Sequence, residues 1–99
     1  MIIDGTYKVT VVAGGKTYSG TAEVATRGEA MRITLNAPIV GKVKAEGTVD
    51  ENGAFTAEGS LRVLLKRITY AIDGQVEGDA FTATARTNVG TYTANGKRI

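Results

Sequence analysis

Residues 68–87, ITYAIDGQVEGDAFTATART, decide the fold. The stretch divides into two alternating runs, Ile68–Glu77 and Ala80–Thr87, joined at Gly78-Asp79. A turn at those two residues sets Val76 opposite Phe81, Gly74 opposite Ala83, Ile72 opposite Ala85 and Tyr70 opposite Thr87, all on one face. Glu77, Gln75, Asp73, Thr82, Thr84 and Arg86 then share the other face. Successive side chains of a strand point to opposite faces, so period-two alternation reads as β. A two-residue turn containing glycine between two such runs reads as a hairpin.

The same grammar extends in both directions. A first strand over Ile3–Val12 puts Gly5, Tyr7, Val9 and Val11 on one face and turns at Gly14-Gly15. The second, Thr17–Thr26, returns Tyr18, Gly20, Ala22 and Val24 against them. A Gly28-Glu29 turn then brings Met31, Ile33 and Leu35 to Thr26, Val24 and Ala22. Pro38 lacks an N–H for a ladder, so Asn36–Val40 is expected as the longest connection. The fourth and fifth strands, Gly41–Asp50 and Ala54–Leu65, join through Glu51-Asn52-Gly53. A three-residue loop with Gly53 in the left-handed region keeps Val49 with Phe55, Gly47 with Ala57 and Val43 with Leu61 in phase.

Two later turns are less sharply marked. A turn at Lys66-Arg67 would pair Leu65 with Ile68, Val63 with Tyr70 and Leu61 with Ile72. A last turn at Val89-Gly90 would match Thr87 with Tyr92, Ala85 with Ala94 and Ala83 with Gly96. The sum is all-β: eight antiparallel strands in an up-and-down meander. Its two edges need cover, and with an even strand number the first and last can pair. A closed barrel is therefore expected over residues 1–99 as one domain, with a homodimer as the other way to cover the edges. Of fourteen threonines, only Thr26 and Thr87 face inward, and Arg98 is the one charged residue on the inward phase of a strand body. A one-residue slip would reverse every such choice.

Composition narrows function by exclusion. Ninety-nine residues carry 42% hydrophobic and 22% charged residues, a net charge of +2, no cysteine and no histidine. Disulfides, thiol chemistry and histidine-based acid–base or metal chemistry are excluded. No phosphate loop or metal-ligand spacing occurs, so neither metal nor cofactor is called for. The small net charge and inward tyrosines speak against nucleic acid. No apolar run is long enough for a membrane-spanning helix, and no signal peptide is read at Met1-Ile2-Ile3, which makes the cytoplasm the expected location.

Gly5-Thr6-Tyr7 near the start and Gly96-Lys97-Arg98 near the end carry a resemblance. An eight-stranded meander barrel bearing them resembles the calycins, which comprise lipocalins, fatty-acid-binding proteins and avidins. Lipocalins place a tryptophan where Tyr7 stands, crossed by a basic residue of the last strand where Arg98 stands. The resemblance implies that Tyr7 and Arg98 close the barrel, and that its interior takes a ligand.

The interior itself offers the functional clue. Small inward residues such as Gly20, Ala45, Gly59, Gly74, Ala83 and Ala94 lie near mid-barrel. Larger ones, among them Tyr18, Leu35, Val63, Leu65, Tyr70 and Tyr92, gather towards the odd-numbered loops. These six with Ile72 are the candidate ligand-binding residues. The same end carries Lys16, Lys42, Lys44, Arg62, Lys66, Arg67 and Arg86, and most acidic residues sit at the other. A basic rim over an apolar pocket suits a small apolar or amphipathic ligand, anionic ones included. Two alternatives stand beside this. One is a cyclase- or isomerase-type enzyme with a tyrosine as proton donor; the other is a structural or partner-binding barrel without ligand.

Overall fold

The computed structural model describes residues 3–37 and 41–99, excepting the side chain of Val63. Of the connection expected at Asn36–Val40, Asn36 and Ala37 instead belong to the third strand, and residues 38–40 lie outside the described residues. Eight strands follow in order: β1 Gly5–Ala13, β2 Lys16–Arg27, β3 Ala30–Ala37, β4 Gly41–Val49, β5 Ala54–Val63, β6 Lys66–Glu77, β7 Ala80–Thr87 and β8 Gly90–Arg98. Each pairs antiparallel with the next, and β8 pairs with β1, so the sheet closes into a barrel.

Register follows the alternation of the sequence. Val11 faces Tyr18, Val24 faces Ile33, Val49 faces Phe55 and Val76 faces Phe81, as expected. Gly53 takes φ 86° in its three-residue loop, and the Asp50 carboxylate accepts from the amides of Asn52 (2.8 Å) and Ala54 (3.0 Å). Glu46 and Glu58 do stand opposite each other, but Arg32 lies across from Glu46 on the other side and binds it at 3.2 Å. That pairing offsets part of the like-charge repulsion.

Three expectations need correction. The β5–β6 turn is Leu64-Leu65, two residues before Lys66-Arg67, so Leu61 pairs with Ile68, Gly59 with Tyr70 and Ala57 with Ile72. Leu65 is therefore not an inward residue: it is 97% exposed at the turn. Likewise the β7–β8 turn is Asn88-Val89, which pairs Thr87 with Gly90, Ala85 with Tyr92 and Ala83 with Ala94. Asn88 fixes it there by contacts to β6: its side chain accepts from Thr69 N (3.1 Å) and donates to Arg67 O (3.0 Å). Third, the β4–β5 ladder runs only from Glu46–Glu58 to Val49–Phe55, so Val43 and Leu61 are not partners in it. Among the described residues it is the shortest ladder of the barrel.

The lower end holds the even-numbered turns, the start of β1 and the end of β8. Ile3, Tyr7, Val9, Val24, Met31, Val49, Phe55 and Val76 are buried together there. Phe81 meets Tyr7 edge to face at 5.3 Å and Phe55 at 6.3 Å between centroids. Arg98 pairs with Tyr7 across the closing ladder, donates from Nη2 to its hydroxyl at 2.9 Å and places its guanidinium 5.4 Å from the ring centroid. The Tyr7 hydroxyl in turn donates to Ile3 O at 2.7 Å, which seats Ile3 as the floor. Next to it, the Asp4 carboxylate accepts from the hydroxyl and the amide of Thr26. Those bonds hold its pKa below the usual 3.8.

Three outcomes follow from this arrangement. Leu64 has φ 57°, a region costly for a side chain with a Cβ, so Leu64→Gly is expected to stabilise the barrel by about 1 kcal/mol. A thermal melt should then rise by several degrees. Arg98→Met keeps the stem but removes the donor and the charge over Tyr7, and urea titration should show a loss of about 1–3 kcal/mol. Asp4 stabilises the fold above its unfolded pKa, and that contribution fades as pH falls through its lower folded value. Asp4→Asn is expected to flatten the stability profile below about pH 4.

Candidate ligand-binding cavity

The upper half is built differently from the lower. Just above the level of Tyr7, Phe55 and Phe81, β7 and β8 turn Ala83, Ala85 and Ala94 inward, too short to reach across the barrel, with Thr87 and Tyr92 higher up. On β3 and β4 they are Ile33, Leu35, Val43 and Ala45. The result is a cavity of about 380 Å³ inside the barrel, floored by the lower core. Its upper wall carries Tyr18, Leu35, Val43, Ile68, Ala85 and Tyr92. The lining is almost wholly apolar, and among the described residues no charged side chain contributes to it.

Glycine decides where β5 bends. A Cβ on Gly59 would lie 2.5 Å from Lys44 O and 2.7 Å from the Tyr70 ring. With hydrogen there instead, Tyr70 lies over its cross-strand partner, and its hydroxyl donates to the Lys44 carbonyl on β4. That bond reaches over β5 to β4 just where the β4–β5 ladder has ended. Burial pushes the Tyr70 phenol above its ordinary value near 10, so it is a protonated donor at neutral pH. Tyr18 and Tyr92 have no hydrogen-bond partner among the described residues, which leaves two phenol groups for a guest.

Of the sequence candidates, the structure gathers Tyr18, Leu35, Tyr70, Ile72 and Tyr92 into the cavity wall. Leu65 stands outside at the turn, and the side chain of Val63 lies outside the described residues. Tyr7 lines the floor, while Arg98 closes the barrel beneath it. Val43, Leu61 and Ala85 also line the wall. Their inward phase was readable, but the partners of Leu61 on β6 and of Ala85 on β8 depended on the two shifted turns. At the rim, Lys16 sits opposite Ala13 and Lys66 opposite Val63, on the inward phase of their strands, with both side chains exposed. Arg86, expected in the rim, is drawn down the outer wall to Asp73 at 2.6 Å.

A second concavity, about 750 Å³, lies over the outer wall of β4–β8. Thr48, Asp73, Thr82, Thr84, Thr93 and Asn95 line it. It is an open depression of polar, largely solvated side chains, and it lacks the enclosing walls of the inner cavity.

No family model matches the chain, and no curated protein matches it. Among solved structures, the chain is similar to a redesigned β barrel, mFAP1, bound to DFHBI, with a TM-score of 0.80 and 20% identity over 97% of this chain and 94% of that one. It is also similar to a second barrel, from the de novo design of a fluorescence-activating β barrel, with a TM-score of 0.68 and 19% identity over 100% of both chains. At such identities the likeness is one of fold: a small eight-stranded antiparallel barrel.

Proposed function

We propose that this barrel binds a small apolar or amphipathic molecule in its upper cavity. The apolar part sits on the Tyr7–Phe55–Phe81 floor, and any negative charge lies at the rim near Lys16 and Lys66. The observation that carries the reading is the 380 Å³ of apolar space held open above a packed core. At ~24 cal/mol per Å³, leaving that much space empty would cost as much as roughly 9 kcal/mol. That upper bound is comparable to the whole stability of a small domain, about 5–15 kcal/mol. Apolar space of this size offsets its cost best when a guest fills it.

Two further observations support the reading. Tyr18 and Tyr92 offer hydroxyls without a protein partner among the described residues of the upper wall, the usual way an apolar pocket orients its guest. A barrel of similar fold, mFAP1, is bound to DFHBI in its own structure. The calycin-like reading of Tyr7 and Arg98 fits the same function class. A cyclase- or isomerase-type activity would need a proton donor and an acceptor facing the guest. Tyrosines are the only titratable side chains in the described lining, and Tyr70 already donates to Lys44. Binding is thus the better supported use of the cavity.

An uncharged environment-sensitive dye such as Nile red tests this. It should bind saturably, one per chain, with a blue-shifted emission. At a hundredfold excess over its Kd it should add about 2.7 kcal/mol of stability, on the order of 10 °C in Tm. Ala85→Phe fills the space from β7 and should weaken binding at least about tenfold, whereas Thr82→Ala on the outer wall should leave it unchanged. Equal effects of the two substitutions, or no saturable binding, would remove the cavity from consideration.

A further inference from the structure

The β5–β6 turn departs from every other two-residue turn in the chain. Those turns use Gly14-Gly15, Gly28-Glu29, Gly78-Asp79 and Asn88-Val89, each with a residue suited to tight turns. Here two leucines stand in that place, 91% and 97% exposed. Leu64 keeps a branched side chain at φ 57°, although the first position of such a turn favours glycine. Neither leucine serves the core or the cavity lining. A large apolar side chain held in solvent at a backbone cost marks a contact surface.

Charge around the tip is one-sided. Arg62, Lys66 and Arg67 flank the leucines within three residues, and Lys42 and Lys44 follow on β4 next to them. With Lys16, six cations share this end, and the segments 11–18, 35–44, 60–70 and 86–93 contain no aspartate or glutamate. An apolar tip inside a basic collar matches the chemistry of an anionic lipid leaflet, where acyl chains take the leucines and headgroups take the cations.

We propose that Leu64 and Leu65 dock the open end of the barrel on an anionic lipid surface. Other occupants fit less well. A second copy would set six cations against six. A folded acidic partner would need a pocket shaped for a convex tip, whereas a fluid interface conforms to it. Nucleic acid would gain nothing from leucines, which do not stack on bases. The docking surface and the cavity mouth share an end, but docking stands whether or not the cavity holds a guest.

The test is cosedimentation with vesicles of phosphatidylcholine alone or with about a quarter phosphatidylserine. The protein is expected on the anionic vesicles, with binding that falls steeply as salt rises, and hardly at all on the neutral ones. Leu64→Gly combined with Leu65→Asn suits the turn better, so this variant should melt no lower than the parent. It should nevertheless lose at least about tenfold in vesicle affinity. Lys66→Gln with Arg67→Gln should weaken binding by roughly tenfold and reduce its salt dependence. Absence from anionic vesicles at low salt, or equal affinity of parent and double-leucine variant, would overturn the proposal. So would lipid-free dimerisation that the leucine substitutions abolish, since that assigns the tip to self-association. Binding to polyglutamate that those substitutions weaken equally would point to an acidic polypeptide and overturn it as well.

Discussion

Three aromatic rings lie on glycines of the neighbouring strand, and the barrel's shape depends on those contacts. Phe81 covers Gly96, Phe55 covers Gly74 and Tyr70 covers Gly59, each its direct cross-strand partner. A small barrel needs strands that bend sharply, and glycine permits a bend that a Cβ would block. The bend exposes backbone and leaves a hole in the wall. A ring from the next strand closes the hole and contributes apolar burial at the same point. At Gly59 and Gly96 even a methyl group would run into the ring. Curvature and packing are thus one feature, and neither residue of a pair functions without the other.

That coupling explains why the two halves differ. Phe81 turns inward at the lower level and meets both Tyr7 and Phe55 edge to face, so three rings fill the section that Ile3 floors from below. Arg98 locks the seam where β8 returns to β1. Above that layer Tyr70 covers Gly59, and its hydroxyl is committed to Lys44. The small inward residues near mid-barrel fall into two groups. Those beneath a ring leave none, and those without one, Ala83, Ala85 and Ala94, line the cavity.

The sequence revealed phase far better than height. Alternation assigns each residue to the inner or outer face, and a two-residue hairpin turn moved along the chain leaves that assignment intact. The expected Lys66-Arg67 and Val89-Gly90 turns therefore gave correct faces and wrong partners. Leu64-Leu65 lacks turn chemistry, so no local signal marked it. Asn88 does carry such a signal, but its position is fixed by hydrogen bonds to Arg67 and Thr69, close in space and distant in sequence. Leu65 failed as a site residue for this reason alone. The Tyr70–Lys44 bond was invisible too, because it links strands that are not consecutive.

Stability and openness end up at opposite poles of one sheet. The closing ladder lies beside the packed layer, so the β1–β8 seam is supported by apolar burial as well as by hydrogen bonds. The β4–β5 seam has its ladder only in the lower half, from Glu46–Glu58 down to Val49–Phe55. Above it, among the described residues, the Tyr70 phenol reaches over β5 to hold β4. Local opening is least costly where few backbone hydrogen bonds and few apolar contacts must be given up. By that criterion the wall beside Lys44 and Ser60 yields first, next to the cavity and away from Arg98. A barrel built this way can loosen around its open end while the rings below keep it closed.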